Sequence, residues 1–379
     1  MIFEIKERVD DSVMLYMEDD FAYLDRSSKV EAENVRNFLN YWVSQFPEDE
    51  AKELIARIKS GDKRHFDSSV FEIQLFAMMT GLECKVDIHP ELDNEKETRP
   101  DFLITTPEEE QFYLEAIVSV GQTEREKSAE KRMNTVLDAI NKIESKDFFL
   151  GIKADGNPES PPSGKKLRSE LNKWLKVLDP DEVIANYQAR GRSAIPTKKW
   201  SNGAWSIDFE AIPKAKDKRK AGKLIGFQIS KAGWGDHTDT IKTAFLKKAR
   251  RYGKLDKPLV VAANIASMGV DTTDEMQALF GSEIWKVALD TGQLVFGGRK
   301  GDGVWHGENG LRYGRLSGAW VFRNLNVWNL AEVKNCLYIN PNANHGVPNT
   351  MHEVTHAKDI GGEMVEEQGK PLNQLCEFE

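Results

Sequence analysis

Residues 99–120 read RPDFLITTPEEEQFYLEAIVSV, and they contain two β-strand patterns separated by a polar turn. The first pattern covers 101–104, and the second covers 112–120, which is rich in β-branched and aromatic residues. Asp101 opens the first predicted strand, and Glu115 lies in the middle of the second, with thirteen residues between them. Because strands that follow one another in the chain usually pair, we expect the two carboxylates to meet at one point.

Two carboxylates at one point can hold a hard divalent cation, and the expected ion is Mg²⁺ or Mn²⁺. Such an ion polarises a phosphoryl oxygen and lowers the pKa of a bound water. The alternative is structural, because Pro-Asp is common at turns and Glu115 would then face solvent on an edge strand.

A third acidic residue, Glu72, lies inside a helix predicted over 67–80. This helix is apolar on nearly all sides, which indicates that it is buried. Glu72 is therefore a candidate for a third oxygen ligand or for orienting a metal-bound water. Ser69-x-x-Glu72 also fits a helix capping box, and in that case Glu72 would be purely structural.

The predicted elements from residue 67 to 152 follow the order α-β-β-β-α-β. They are the helix 67–80, the strands 82–88, 101–104 and 112–120, a polar helix 123–143, and the strand 148–152.

This order, with Pro100-Asp101 at the second strand and Glu115 on the third, resembles the PD-(D/E)XK nuclease superfamily. The resemblance covers about residues 66–153 and implies the restriction-endonuclease-like fold, an α/β core with a mixed sheet. It implies that Asp101 and Glu115 bind the catalytic metal and that Glu72 assists them. The implied activity is Mg²⁺-dependent hydrolysis of the phosphodiester bonds of DNA or RNA.

The sequence departs from the superfamily at one catalytic position. The lysine that the superfamily has two residues after its acid is Ile117 in this chain. Lys127 and Lys131, on the helix that follows, are the candidates for a lysine supplied by a neighbouring element. The missing lysine also favours a second interpretation, in which the fold is catalytically inactive and binds nucleic acid or a protein partner. In two stretches, FYLEA at 112–116 and ALFG at 278–281, the chain also resembles a group of bacterial proteins of unassigned function, a likeness that implies no activity.

The charge of the chain is unevenly distributed. The net charge is −9 over 379 residues, but residues 165–257 contain 23 Lys and Arg against 10 Asp and Glu. Such a segment can attract an anionic polymer, or it can be neutralised by the acidic remainder of the same fold. The candidate nucleic-acid-binding residues are Lys218, Arg219, Lys220, Lys247, Lys248, Arg250 and Arg251.

The composition predicts a globular protein. The chain has 40% hydrophobic and 30% charged residues, and its three cysteines are widely spaced, which suits a reducing cytoplasm. No apolar run approaches the roughly 20 residues of a membrane helix, so no membrane partner is expected. We predict a helical region at 1–62, the nuclease-like core at 63–155, a second basic α/β region at 156–345 and a tail at 346–379.

A rival motif lies near the C-terminus, at His352-Glu353-Val354-Thr355-His356. On a helix, the two histidines of H-E-x-x-H bind zinc and the glutamate is the general base of a metalloprotease. The glycine pair at 361–362 would end such a helix within two turns, and few residues follow to complete a zinc site. A zinc protease is therefore a minor alternative.

Overall fold

The computed structural model describes residues 1–377 apart from 93–97, 122–123, 157, 161–162, 221, 223, 231–236, 268, 288–292 and 361–362. The chain forms two compact units. Unit 1 contains Met1–Ser12, Asp19–Gly121 and Asp236–Glu379, and unit 2 contains Val13–Glu18 and Gln122–Gly235. Both units combine helices with a mixed sheet, which confirms the predicted α/β class.

The helices are α1 (Asp20–Arg26), α2 (Val30–Val43), α3 (Glu48–Ile58), α4 (Lys63–Gly81), α5 (Glu124–Asn141), α6 (Gly164–Lys176), α7 (Pro180–Arg190), α8 (His237–Ala249), α9 (Thr272–Phe280) and α10 (Leu372–Leu375). Short 3₁₀ turns cover Gly191–Ala194, Lys216–Lys218 and Asn349–Glu353. The strands are β1 (Lys85–Ile88), β2 (Phe102–Thr105), β3 (Gln111–Ser119), β4 (Phe148–Asp155), β5 (Thr197–Asn202), β6 (Trp205–Pro213), β7 (Ile225–Ser230), β8 (Leu259–Ile265), β9 (Glu283–Val287), β10 (Leu294–Arg299), β11 (His306–Gly307), β12 (Gly310–Leu311), β13 (Leu316–Arg323), β14 (Asn335–Ile339), β15 (His356–Ile360) and β16 (Glu363–Glu367).

Helix α4 is a buried helix of unit 1. The carboxylate of Asp62 caps it by accepting hydrogen bonds from the backbone N–H groups of Arg64 and His65. Phe71 and Ile73 lie on nearly opposite sides of the helix, and both are buried. The buried helix predicted over 67–80 is confirmed, and the Asp62 cap adds one turn to its beginning.

Unit 1 is built on an eight-stranded sheet in the order β1-β2-β3-β8-β13-β14-β15-β16. Strands β1 to β3 form an antiparallel meander, whereas β8 pairs in parallel with both β3 and β13. Strand β8 reads LVVAANI, and every residue in it is buried, as expected for a strand covered on both faces. Side chains alternate along β3: Phe112 and Leu114 belong to the core cluster that contains α4, and Tyr113 belongs to the cluster that contains α8.

The elements that join β1 to β3 in the sheet of unit 1 differ from those predicted. The predicted last strand at 148–152 is β4, which pairs with β6 and β7 in the sheet of unit 2, so its assignment to the core was wrong. Helix α8 and strand β8 instead follow β1 to β3, and β8 lies in parallel beside β3. The order α4-β1-β2-β3-α8-β8 is therefore α-β-β-β-α-β, with most of unit 2 inserted between β3 and α8.

Unit 2 has its own sheet and its own core. The four strands lie in the order β5-β6-β4-β7. Its buried residues come from the helices α5 and α6 and from alternate positions of β4 and β6, such as Ile152, Trp205, Ile207 and Phe209. Because successive side chains of a strand point to opposite faces of the sheet, burial of every second side chain is expected when one face is covered.

The C-terminal segment is part of unit 1 and is not a peripheral tail. Strand β15 pairs in parallel with β14 and antiparallel with β16, and the backbone of Leu375 in α10 packs closely against Gly81 of α4. The two units therefore do not follow the predicted boundaries near residues 62, 155 and 345. Within the described ranges, no helix combines the length and apolar character needed to cross a bilayer.

Candidate functional site

Asp101 and Glu115 lie together because of the register of the β2–β3 hairpin. Phe102 pairs with Leu114, so Asp101 precedes β2 at the level of Glu115. The backbone N–H of Asp101 donates to Glu115 Oε2 at 3.1 Å, and the N–H of Ala116 donates to Asp101 Oδ2 at 2.6 Å. The side chain of Glu115 is completely buried, whereas that of Asp101 is 19% exposed. The two carboxylates converge as predicted, and their role as metal ligands stays a prediction.

Two cations from the end of α8 reach this carboxylate pair. Lys248 Nζ lies 2.5 Å from Glu115 Oε1 and 3.9 Å from Asp101 Oδ2. Arg251 Nη1 lies 3.2 Å from the same oxygen of Glu115. Lys248 lies in the last turn of α8, and Arg251 lies two residues beyond its end, so one end of this helix supplies both cations.

A tyrosine completes the environment of Glu115. The Tyr252 hydroxyl lies 2.6 Å from Glu115 Oε2 and 3.0 Å from the carbonyl oxygen of Arg99. Burial, with the charge of Glu115 next, raises the pKa of Tyr252, so the phenol stays protonated and can donate. Glu115 thus faces four donors: Lys248, Arg251, Tyr252 and the N–H of Asp101.

Burial perturbs both carboxyl groups. Desolvation raises the pKa of Glu115, and the neighbouring charge of Asp101 raises it further, whereas Lys248 opposes both effects. The pKa of Asp101 is likewise raised by burial, with Lys248 as the main opposing charge. The ionised pair therefore depends on the cations of α8, since a buried carboxylate without a counter-charge tends to take up a proton.

Glu72 lies on α4 beside this pair but has its own counter-ion. Arg57 donates to both oxygens of Glu72, at 2.6 and 3.1 Å, from helix α3. The charge of Glu72 also raises the pKa of Asp101. Glu72 and Asp101 line a narrow cleft with a volume of about 10 Å³, which is enough for about one water molecule.

The capping-box interpretation of Glu72 is wrong. Helix α4 begins at Lys63 with Asp62 as its cap, so Ser69 lies in the interior of the helix. Ser69 Oγ is buried and has no hydrogen-bond partner among the residues that the structure describes. Glu72 therefore has no capping role and is aligned by Arg57.

The candidate lysines Lys127 and Lys131 lie on α5, which belongs to unit 2, whereas Asp101 and Glu115 belong to unit 1. The amine that contacts the carboxylate pair is Lys248. Lys248 was among the residues predicted to bind nucleic acid, but its place beside the carboxylates was not predicted. Ile117, at the position of the missing lysine, is on the same face of β3 as Glu115 and packs against the core that contains α8.

The other predicted basic residues fall in two places. Lys218, Arg219 and Lys220 are in unit 2, where Arg219 forms an ion pair of 2.6 Å with Asp181. Lys247, Arg250 and Arg251 are exposed at the end of α8 in unit 1. Arg250 Nε donates to the hydroxyl of Tyr313 at 2.8 Å.

The H-E-x-x-H motif does not have the geometry of a zinc protease. His352 and Glu353 end a 3₁₀ turn, whereas His356 begins strand β15, so the motif is not on one helix. The two imidazole rings stack with their centroids 4.8 Å apart, and Glu353 forms an ion pair with Lys370 at 2.5 Å. Across the described part of the chain, no group of three or more His, Cys, Asp or Glu side chains has the arrangement of a metal site.

Comparisons with protein-family models, with curated proteins and with solved structures find no match to this chain. Arg57 and Tyr252 were not predicted as members of the site from the sequence. The one available signal was the repeated layout of a helix followed by a strand, since a basic helix precedes the strand at 258–263 and a polar helix precedes the strand at 148–152.

Proposed function

We propose that this chain is a metal-dependent phosphodiesterase of the nuclease type that acts on DNA or RNA. The observation that carries the proposal is that α8 brings Lys248 within 4 Å of both Asp101 and Glu115. Ile117 occupies the position on β3 at which the superfamily has its lysine. Lys248 places an amine beside the carboxylate pair from α8 instead. The completed α-β-β-β-α-β order supports the same proposal, because its third strand carries Glu115 and its second helix carries Lys248.

Asp101 and Glu115 are the residues that would hold the divalent cation. Oxygen ligands suit Mg²⁺ and Mn²⁺, and no hydrogen bond reaches Asp101 Oδ1 from the residues that the structure describes. Glu115 would have to exchange one of its four donors for the metal, and Arg251 is suited to leave because its side chain is 45% exposed. When bound, such an ion activates a water molecule and stabilises charge on the phosphoryl group.

Lys248 and Glu72 have supporting roles in this proposal. The Lys248 amine holds the ionised carboxylates in place and offsets negative charge that develops on a phosphate between them. Glu72, fixed by Arg57, borders the small cleft beside Asp101 and can accept a hydrogen bond from a water there. Each of these residues is held by a partner that the fold supplies, so their geometry is set before any substrate binds.

The second candidate function is a catalytically inactive fold that binds nucleic acid or a protein. The observation in its favour is that two cations already compensate two carboxylates, and that four donors already contact Glu115. Such a cluster would be a structural support for α8 rather than a site of chemistry.

A cleavage assay distinguishes the two functions. The purified protein is incubated with single- and double-stranded DNA and RNA, with Mg²⁺, with Mn²⁺ and with a chelator. We expect metal-dependent cleavage that falls about 100-fold or more in Asp101→Asn, Glu115→Gln and Lys248→Met. Lys254→Met, a change of an exposed lysine just beyond α8, is the matched control. Absence of cleavage in the parent protein with every substrate and metal would favour the inactive fold.

A lysine exchange tests the role of Lys248 more specifically. Ile117 and Glu115 share a face of β3, so a lysine at position 117 approaches the pair from the strand instead of from the helix. We expect Lys248→Met to lose activity and the double variant with Ile117→Lys to regain part of it. If the double variant is stable but remains as inactive as Lys248→Met, the amine is not the catalytic contribution of Lys248.

A further inference from the structure

A polar cavity of unit 1 lies between the first residues of the chain and helix α2. The N–H of Phe3 donates to Asn40 Oδ1 at 3.0 Å, and five residues later Arg8 Nε donates to the carbonyl oxygen of Asp25 at 2.6 Å. Between these two attachments, residues 3–8 and α2 enclose a volume of about 270 Å³. This space is here called the Arg36 cavity, after the arginine of α2 that lines it.

The polar wall of the Arg36 cavity is one side of α2. Its residues are three or four positions apart, which is the spacing that places side chains on the same side of a helix. They are Glu33, Arg36, Asn37 and Asn40. The apolar side of the same helix, with Leu39 and Trp42, packs into the core. The sequence of α2 therefore presents a polar stripe to residues 3–8.

Arg36 is a buried cation without a paired carboxylate. It is 6% exposed, and its Nη1 donates to the carbonyl oxygens of Leu24 and Ser27, at 2.6 and 2.8 Å, at the end of α1. Of the acidic side chains that the structure describes, none reaches ion-pair distance of its guanidinium group. Because a buried arginine is nearly always paired with an acid, the missing counter-charge indicates an anionic ligand.

The unused donors of Arg36 are accessible. Nη1 has both of its hydrogens in the bonds to α1, so Nε–H and the two N–H groups of Nη2 remain. Neither nitrogen is closed off from solvent, and neither has a hydrogen-bond partner in the described ranges. Nε–H and one N–H of Nη2 form a planar fork, which matches the two oxygens of a carboxylate or a phosphate.

The charges around the cavity favour a carboxylate over a phosphate. Lys6 and Arg8 are both paired with Asp25, so Arg36 supplies the uncompensated positive charge. Three exposed glutamates also line the cavity, and they are Glu4, Glu7 and Glu33. A phosphate dianion would be repelled by these glutamates, whereas a single carboxylate balances the one charge of Arg36.

Glu33 is placed to contact a second group of the same ligand. It precedes Arg36 by three positions on α2, so the Cβ atoms of the two residues are about 5–6 Å apart. Burial, and then the charge of Arg8, lower the pKa of Arg36, and Glu33 is the first of the charges that oppose this. A ligand with a cationic group close to its carboxylate can therefore contact Arg36 and Glu33 at the same time.

We propose that the Arg36 cavity binds a small zwitterion of the α-amino-acid class. The carboxylate of the ligand accepts from Nε and Nη2 of Arg36, and its ammonium group contacts Glu33. The proposal goes beyond the nuclease function and does not depend on it, because no residue of the carboxylate pair lines this cavity.

The experiment titrates the parent protein calorimetrically with three probes that differ by one group. L-alanine has both charges, propionate lacks the ammonium group, and ethylamine lacks the carboxylate. We expect ethylamine to bind about tenfold or more weakly than alanine, because the charge-assisted bonds from Arg36 are lost. Propionate should bind about threefold more weakly, since an ion pair with the exposed Glu33 contributes little. Inorganic phosphate should bind more weakly than alanine.

Two variants and one control assign the contacts. Glu33→Gln should reduce the affinity for alanine to that for propionate without weakening propionate binding. Glu31→Gln, at an exposed position of α2 outside the cavity walls, should keep the difference between the two probes. Arg36→Lys keeps the charge but removes the fork, and we expect about tenfold weaker alanine binding. Because Arg36 also holds the end of α1, its unfolding midpoint is measured in parallel, and if the variant is unstable, Glu33→Gln decides the question.

The proposal fails if alanine shows no saturable binding or if phosphate binds more tightly than alanine. Equal affinities of the parent protein for alanine and propionate, or a difference that survives Glu33→Gln, also overturn the zwitterion class. None of these results bears on the nuclease proposal, which the cleavage assay tests separately.

Discussion

Lys248→Met removes one of the two cations that contact the buried carboxylate of Glu115. Removing one partner of a buried ion pair typically costs about 3–5 kcal/mol, because the remaining charge loses its compensation. Arg251 would still lie 3.2 Å from the same oxygen, and Tyr252 would still donate to the other. We therefore expect a loss of about 3 kcal/mol in the free energy of unfolding at pH 7, at the lower end of that range.

The loss should depend on pH in a defined direction. Burial raises the pKa of both Asp101 and Glu115 above their ordinary values. A carboxyl group whose pKa is higher in the folded state than in the unfolded state contributes to stability through its protonated form. This contribution is complete at a pH below the pKa of the unfolded state, and it is lost as the pH rises through the pKa of the folded state. Lys248 lowers both pKa values, so the variant should raise them further and should be destabilised less at pH 5 than at pH 7.

Urea unfolding followed by fluorescence at both pH values measures these changes. Lys247→Met is the matched control, because it makes the same change at the preceding, exposed position of α8. Its effect should stay within about 0.5 kcal/mol of zero, as is usual for surface changes. If the two variants lose the same stability, or if the loss for Lys248→Met grows as the pH falls, Lys248 does not compensate the charge of the carboxylates.

Three further results are expected. Glu72→Gln should lower the free energy of unfolding by about 1–3 kcal/mol, because it weakens the charge-assisted bonds from Arg57; a change below about 0.5 kcal/mol in chemical unfolding would contradict this. The double change of Lys218 and Lys220 to Glu should weaken binding to all nucleic-acid sequences alike. In a salt titration, it should reduce the slope of log affinity against log salt concentration by about 2, and an unchanged slope would show that these lysines contact no phosphates. Glu353→Gln should leave peptide hydrolysis at background with added Zn²⁺, as in the parent protein, whereas zinc-dependent proteolysis in the parent would revive the metalloprotease alternative.

The local part of the candidate site was predictable from the sequence. Asp101 and Glu115 are 14 positions apart and belong to one hairpin, so the register of two neighbouring strands brings them together. Helix α4 and strands β1 to β3 were recognised for a related reason, because their apolar patterns are local and consistent.

The source of the compensating amine was not predictable in this way. Lys248 is 133 positions from Glu115, and a second helix followed by a strand at α5 and β4 offered an equally good end to the core. Both α5 and α8 carry lysines, and both β4 and β8 are largely buried strands. The choice between these two helix–strand pairs depends on which distant strand pairs with β3, and the sequence does not reveal this pairing.

The insertion of unit 2 has a consequence for how the site assembles. A flexible loop as long as Gln122–Gly235 costs on the order of 4 kcal/mol of chain entropy to close. The chain leaves and returns at nearly the same point, since a Cβ atom on Gly121 would lie 2.9 Å from Thr240 Oγ1. Unit 2, which has its own core, can fold first and remove most of that entropic cost before α8 docks. Mutations in the interior of unit 2 should therefore slow the docking of Lys248 onto Glu115 during refolding, because they lengthen the disordered connection between β3 and α8.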